Sequence, residues 1–278
     1  MIRIKTMTLW FLVMAGLIVT AAGCREKPGA ESGTESGTST LKEGVLSVGM
    51  EIGYPPMEFY DEDGKTPLGF DVDMAKALAE KLGLQLELID TAWDGIFAGV
   101  DTSKYDCIIS SVTLTEDRQT QYAFTKPYLA NSQLLVVRKD SANKPASLDA
   151  VQGLRLTYQA ETTSDTLATQ WIESTGAGVK VFEYDKVMNC FDELTLNRVD
   201  VILVDSVVAA EYLSKPDNPY EITAEVSNDE VLAICLKKDN TALVDALNTA
   251  LDELYADGTL EAISQKFFNR TDVVSSVR

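Results

Sequence analysis

Residues 70–89 read Phe70-Asp71-Val72-Asp73-Met74-Ala75-Lys76-Ala77-Leu78-Ala79-Glu80-Lys81-Leu82-Gly83-Leu84-Gln85-Leu86-Glu87-Leu88-Ile89. Apolar residues fall at 70, 74, 75, 78, 79 and 82, the spacing that lines one face of an α-helix. Gly83 follows, a residue free to take the left-handed turn that ends such a helix. From Leu84 to Ile89 the period changes to two, the pattern of a half-buried strand. Upstream, Val45-Leu46-Ser47-Val48-Gly49-Met50 is a short apolar strand. Strand, helix and strand in succession form the unit of a parallel sheet.

The alternation continues along the chain. A short helix is expected at 93–100 and a buried strand at 106–112. Further strands are expected at 131–138, 154–158, 181–184, 199–204 and 231–237. Helices are expected at 163–174, 186–197, 206–213, 242–256 and 260–268. Repeated β-α-β alternation predicts an α/β fold with largely parallel sheets. No internal repeat is visible, and about 230 residues with this many strands fit two α/β lobes better than one. Ligands of open α/β sheets sit at the carboxyl ends of the strands, so two facing lobes would enclose a cleft.

The start of the chain has a different character. Arg3 and Lys5 precede the apolar run 9–19, and Ala21-Ala22-Gly23 precedes Cys24. Basic, apolar and small-residue zones in that order describe a secretory signal peptide at 1–23. A cysteine directly after the small residues resembles the lipobox of bacterial lipoproteins, which implies that Cys24 becomes the lipidated first residue. Ala21 stands where those proteins usually have Leu. Residues 24–40 continue as the lipidated Cys and a Gly/Ser/Thr-rich segment without a large apolar residue, the composition of a flexible tether. No later run approaches the ~20 apolar residues of a membrane-spanning helix. The expectation is a soluble body held by a lipid anchor at the extracytoplasmic face of the cell membrane.

Asp and Glu number 43 against 24 Lys and Arg, a net charge of −19. Removal of residues 1–23 would take away two cations and leave −21. Such a surface argues against nucleic acid and against docking on anionic lipid. It keeps the chain soluble and mildly favours cationic ligands. The chain contains no His, which excludes Ser-His-Asp and Cys-His catalysis and the common zinc sites. No metal and no cofactor are expected. Cys107, Cys190 and Cys235 are odd in number and sit among apolar neighbours, so buried free thiols are expected.

Five ordered segments carry a more specific signal. They are 48–59 (Val-Gly-Met-Glu-Ile-Gly-Tyr-Pro-Pro-Met-Glu-Phe), 69–75 (Gly-Phe-Asp-Val-Asp-Met-Ala), 110–118 (Ser-Ser-Val-Thr-Leu-Thr-Glu-Asp-Arg), 124–128 (Phe-Thr-Lys-Pro-Tyr) and 256–260 (Ala-Asp-Gly-Thr-Leu). In this order they resemble the polar amino-acid branch of the bacterial extracellular solute-binding proteins, and the resemblance covers residues 41 to about 270. It implies a two-lobed, periplasmic-binding-protein-like (type II) fold in which each lobe is a mostly parallel sheet flanked by helices. Two strands would form the hinge. Lobe 1 would be 41–130 plus 229–270, lobe 2 would be 131–228, and 271–278 would be a tail. The implied function is the substrate-binding component of an ATP-driven amino-acid importer, with the membrane permease and its ATPase as partners and no catalytic residue. A monomer is expected.

A free amino acid presents a carboxylate and an ammonium on one carbon, and a buried site must satisfy both. Arg118 offers a planar bidentate contact to a carboxylate. Ser111 and Thr113 are two apart and share one face of an extended chain. The resemblance assigns them to the ammonium and the carboxylate, with Ser110 contributing through its backbone. Asp205 ends an apolar strand and begins a helix, where it would be an N-cap; the resemblance also gives it the ammonium. Thr162 and Thr163 match a Thr-Thr pair that meets the ligand carboxylate from lobe 2, but Glu161 stands where the family usually has Gly. Glu51, Tyr54, Trp93 and Gln159 bear on the ligand side chain. A flat cation between two rings, with a carboxylate at its end, describes a guanidinium site. Arginine or lysine therefore leads, with glutamine, histidine and cystine as alternatives. A cyclohexadienyl-dehydratase-like enzyme on the same fold is the rival class, with Glu161 as its distinguishing acid.

Overall fold

In the computed structural model the segment quoted first forms a helix and a strand. The structure describes residues 39–277; the expected signal peptide, Cys24 and the expected tether as far as residue 38 lie outside the described residues. Strand β1 (Val45–Met50) is buried throughout its length. Two short strands, β2 (Phe59–Tyr60) and β3 (Pro67–Leu68), pair with each other and lead into helix α1 (Phe70–Lys81) and strand β4 (Gln85–Asp90). Phe70, Met74, Ala75 and Leu78 place the apolar stripe of α1 wholly inside. Gly83 takes the left-handed turn that ends the helix, at φ 66°. β1 and β4 then pair in parallel from Val45 and Gln85 to Met50 and Asp90.

The chain continues through α2 (Ile96–Asp101), β5 (Cys107–Ile108), α3 (Glu116–Gln121), β6 (Tyr122–Phe124) and β7 (Leu129–Arg138). Next come β8 (Arg155–Gln159), α4 (Thr163–Thr175), β9 (Lys180–Tyr184), α5 (Val187–Thr195), β10 (Val201–Asp205) and α6 (Ser206–Ser214). The last elements are β11 (Tyr220–Leu232), β12 (Cys235–Lys237), α7 (Thr241–Ala256), α8 (Thr259–Phe268) and α9 (Asp272–Ser275).

Two five-stranded sheets result, ordered β4-β1-β5-β12-β6 and β11-β7-β10-β8-β9. In each sheet one strand runs against the other four. β12 is antiparallel to both β5 and β6, and β7 is antiparallel to both β10 and β11. The two exceptions are the strands by which the chain enters a sheet from the other one. β7 and β11 pair from Leu129 and Leu232 to Arg138 and Tyr220, so both crossings lie side by side. This is the two-lobed α/β architecture with a two-strand connection.

Two expected strands differ, and most of β11 was not expected as a strand. The apolar run 231–237 is not one strand: Val231 and Leu232 end β11, Ala233 and Ile234 cross, and Cys235 begins β12 in the other sheet. All of Leu232 to Leu236 is fully buried, so the run shows no period that would reveal the crossing. The body of β11 carries register shifts at 222–224, 225–227 and 227–230, and such bulges break the alternation that marks a strand. The expected strand 106–112 pairs only at Cys107–Ile108; beyond it Ser111 turns to φ 50° and the chain leaves the sheet. Cys107, Cys190 and Cys235 are free and buried, as expected.

Candidate functional site

The carboxyl ends of strands from both sheets face one cavity. Glu51 lies one residue beyond β1, and Tyr54 lies in the loop that follows. Ser110, Ser111 and Thr113 follow β5, Arg118 lies in α3, and Trp93 opens a single 3-10 turn before α2. From the second sheet come Gln159 at the end of β8, Thr162 and Thr163 at the start of α4, and Asp205 at the end of β10. All eleven residues expected from the sequence line this cavity, together with Glu58.

Arg118 is positioned by helix α3, whose N-cap Thr115 accepts a bond from the Arg118 amide at 3.2 Å. Its guanidinium lies 5.7 Å from the Trp93 ring and 5.0 Å from the Phe97 ring, contacts that favour a cation. Nη1 donates to the Thr113 carbonyl at 2.9 Å. Burial holds its pKa below the usual guanidinium range, yet an arginine remains charged. Among the described residues it forms no ion pair.

Asp205 is 6% exposed. It accepts bonds from Tyr54 Oη at 2.7 Å, Asn131 Nδ2 at 3.0 Å and Gln133 Nε2 at 2.6 Å. Burial raises its pKa, and these donors oppose the rise. Its expected capping role is not realised: it stands at the N-cap position of α6 without a side-chain cap bond, because its oxygens turn to these donors instead. Tyr54 belongs to the first sheet's side of the cleft, so this bond spans the two lobes. Gln159 Nε2 to Glu51 Oε2 at 2.8 Å and Trp93 Nε1 to the Glu161 carbonyl at 3.0 Å span them as well.

Glu51 is 3% exposed, and burial pushes its pKa to about 7 despite the Gln159 bond and the charge of Lys186. The Thr162 hydroxyl donates to the Gln159 carbonyl at 2.7 Å and accepts from the Asp165 amide at 3.4 Å, so it caps α4. The Thr163 hydroxyl accepts from Gln133 Nε2 at 3.2 Å and donates to Glu230 Oε2 at 3.4 Å. Ser110 Oγ donates to Glu58 Oε1 at 2.6 Å and accepts from the Glu51 amide at 3.0 Å. The Ser111 amide donates to Asp71 Oδ2 at 2.7 Å.

Glu161 takes φ 61°, the left-handed conformation that Gly adopts without penalty. That is the physical reason for the usual Gly there. The Glu161 backbone does the bonding: its amide donates to Asp165 Oδ2 at 2.9 Å, and its carbonyl accepts from Trp93. Its side chain is exposed and borders an outer groove, not the inner cavity.

Four residues near the site escaped the sequence reading. Asn131 and Gln133 lie two apart on β7, so they share a face that reaches Asp205 and Glu230. Two buried amides two apart in an apolar strand were the available signal. Glu230 lies in the bulged part of β11, where no period marks it. Glu58 was visible as the single charge in an apolar stretch. Among the described residues no cluster suits a metal ion, and no helix is long and apolar enough to cross a membrane.

The sequence profile of the bacterial extracellular solute-binding proteins, family 3, matches residues 46–270. The L-cystine-binding protein TcyJ of Escherichia coli (strain K12) is 33% identical over 257 residues, which cover 92% of this chain and 93% of that protein. The ABC transporter arginine-binding protein 1 of the same organism is 31% identical over 227 residues, covering 80% and 90% of the two chains. An ancestral arginine-binding protein solved with arginine bound superposes with a TM-score of 0.76 at 36% identity, covering 81% of this chain and 99% of that one.

Proposed function

The chain belongs to the bacterial extracellular solute-binding proteins, family 3, and on that premise we propose that it captures a free amino acid between its lobes and delivers it to the permease of an ATP-driven importer. Lobe 1 is residues 41–130 with 229–270, and lobe 2 is residues 131–228. The observation that carries this reading is a pair of charges on opposite sides of one cavity. Among the described residues Arg118 is a guanidinium without an ion pair, and Asp205 is a buried carboxylate. A free amino acid bears the complement of both on one carbon, and either charge alone would be costly to bury.

Arg118 receives the α-carboxylate in a bidentate pair, with the Thr113 and Thr163 hydroxyls beside it. Asp205 and the Ser111 hydroxyl receive the ammonium. Ligand held on lobe 1 gives Asp205 and Thr163 a partner that exists only when the cleft is shut. That differential contact stabilises closure. A micromolar Kd corresponds to about −8 kcal/mol, within reach of two satisfied charges and ring contacts. In calorimetry, Arg118→Ala should weaken binding roughly 10- to 150-fold, the loss of charge-assisted hydrogen bonds worth about 1.5–3 kcal/mol. Unchanged affinity would sink this assignment.

The ligand side chain is basic, and arginine fits best. Glu51 and Asp205 in the cavity and Glu230 beside Thr163 oppose the single cation Arg118, so the ionised site is negative in excess and favours a ligand of net positive charge. Tyr54 and Trp93 supply the rings and Gln159 a further polar contact. Similarity to the cystine-binding TcyJ over 92% of this chain makes cystine the second reading, although a ligand of zero net charge leaves Glu51 uncompensated.

The sequence of residues 1–40 supports secretion and a lipid anchor at Cys24, with 25–40 as the tether. Cys24→Ser should move the protein from the membrane fraction to the soluble one. Retention of that variant on membranes would contradict the anchor.

A further inference from the structure

Two carboxyls lie directly behind the ligand-facing serines, and the binding reading gives them no task. Glu58 and Asp71 are both 0% exposed. Backbone packing brings them together. The Asp71 amide donates to the Met57 carbonyl at 2.9 Å, and the Phe70 amide donates to the Pro56 carbonyl at 3.0 Å. Gly69 permits this approach: at φ 136° a Cβ there would stand 2.0 Å from the Met57 oxygen. The start of α1 and the loop before β2 are thereby locked side by side.

One oxygen of each carboxyl is satisfied. Glu58 Oε1 accepts from Ser110 Oγ at 2.6 Å. Asp71 Oδ2 accepts from the Ser111 amide at 2.7 Å, from Tyr128 Oη at 3.1 Å and from Ser111 Oγ at 3.5 Å. Each carboxyl acts on the ionisation of the other, and each keeps one buried oxygen without a partner, Glu58 Oε2 and Asp71 Oδ1. Two carboxylates in contact without a hydrogen between them would repel in a medium of low dielectric.

We propose that Glu58 and Asp71 share one proton and together act as the positioning pair that holds Ser110 and Ser111 in their ligand-facing conformation. Ser111 needs such a hold, because φ 50° is unfavourable for a residue with a Cβ. Its amide is fixed on Asp71, while Ser110 is fixed on Glu58 and in turn fixes the Glu51 amide. The proton rests on Glu58. Burial and the charge of Asp71 push the Glu58 pKa far up, with Glu51 adding to the effect; burial also raises Asp71, to about 7, but the bonds from Ser111 and Tyr128 hold it below Glu58. The other titratable groups that face the pair are Tyr54 and Tyr128, both neutral. Among the described residues no Lys or Arg is paired with either carboxyl. Above about pH 7 the pair therefore carries one negative charge, which the three donors on Asp71 satisfy.

The inference rests on the proposed amino-acid site for its effect on binding, but the shared proton is tested without ligand. Melting of the ligand-free protein should show stability falling as pH rises from about 4.5, where the unfolded chain gives up this proton, until the folded pair gives it up in turn; Glu51 contributes only to about pH 7, and Glu58→Gln should remove the loss above that pH. A glutamine amide keeps a donor toward Asp71 and an acceptor toward Ser110. Glu58→Ala leaves Asp71 Oδ1 and Ser110 unsatisfied, and its arginine affinity should fall at least about tenfold below that of Glu58→Gln. Equal losses in the two variants, or an alkaline transition retained in Glu58→Gln, would overturn the proposal. Should Glu58→Gln not fold, the wild-type protein saturated with arginine decides. At about pH 8, where an ordinary carboxyl is ionised, its infrared spectrum should still show a protonated carboxyl band; the lack of one overturns the shared proton. If arginine does not bind the wild-type protein, the amino-acid reading fails while the melting result, and the infrared spectrum of the ligand-free protein at the same pH, still judge the pair.

Discussion

On the proposed reading Glu51 is the residue on which ligand choice turns, and its behaviour follows from where β1 ends. One residue beyond the strand it is nearly sealed from water, and burial lifts its pKa from 4.5 to about 7. Between those two values the unfolded chain has given up this proton and the folded protein has not. The Glu51 contribution to stability therefore falls as pH rises from about 4.5 to 7 and stays low above. A cation seated against it reverses the balance by favouring the ionised form. Arginine affinity should thus rise with pH. If only ionised Glu51 accepts the guanidinium, the gain from about pH 5.5 to pH 8 is on the order of 30-fold. Glu51→Gln should flatten the profile. Calorimetry across that range checks this, and a wild-type affinity constant with pH would remove Glu51 from the ligand. Arg118 and Asp205 were legible for the same reason: a charged residue directly after a buried strand or a Ser/Thr-rich strand end has few structural uses. Glu58 is also charged and buried, but its partners lie 13 and 52 residues away in Asp71 and Ser110, and only the folded chain brings them together.

At the scale of the element, a clean period made the difference between legible and hidden. Helix α1 and strand β4 declare themselves because each buries one face, so their apolar residues recur at the spacing of the structure. Helices α4, α5 and α7 are legible in the same way, to within a residue or two at their ends. Strand β11 is the contrary case. It is 13 residues long, yet three register shifts move its side chains from face to face. The crossing at Ala233 and Ile234 is hidden by the opposite cause, because everything around it is buried and nothing alternates. Helix α4 shows how the site depends on element ends. Thr162 uses its hydroxyl to cap the helix and Glu161 supplies backbone groups, which leaves Thr163 facing the cleft. The departure from Gly at 161 changes the ease of the turn, not the side chains that line the inner cavity.

For the whole molecule, the two sheets matter because each aims its strand ends at the other. The first brings Glu51, Tyr54, Trp93 and Arg118; the second brings Gln159, Thr163 and Asp205. Neither side alone can neutralise an amino acid. β7 and β11 tie the sides together along one edge, and the proposed opening and closing would turn about that pair. The two-lobed plan was legible from the repeated β-α-β alternation, whereas the counter-running strands β7 and β12 were not, because direction leaves no mark on a strand's own pattern. The central claim is that this cleft takes a free amino acid with a cationic side chain. It is tested most directly by titrating the purified body at about pH 8 in a calorimeter with arginine and with citrulline, which has the same shape but lacks the side-chain charge. Arginine should bind at least about tenfold more tightly, a difference of about 1.4 kcal/mol assigned to Glu51. Citrulline binding as tightly as arginine, or no binding of arginine at all, would contradict the account.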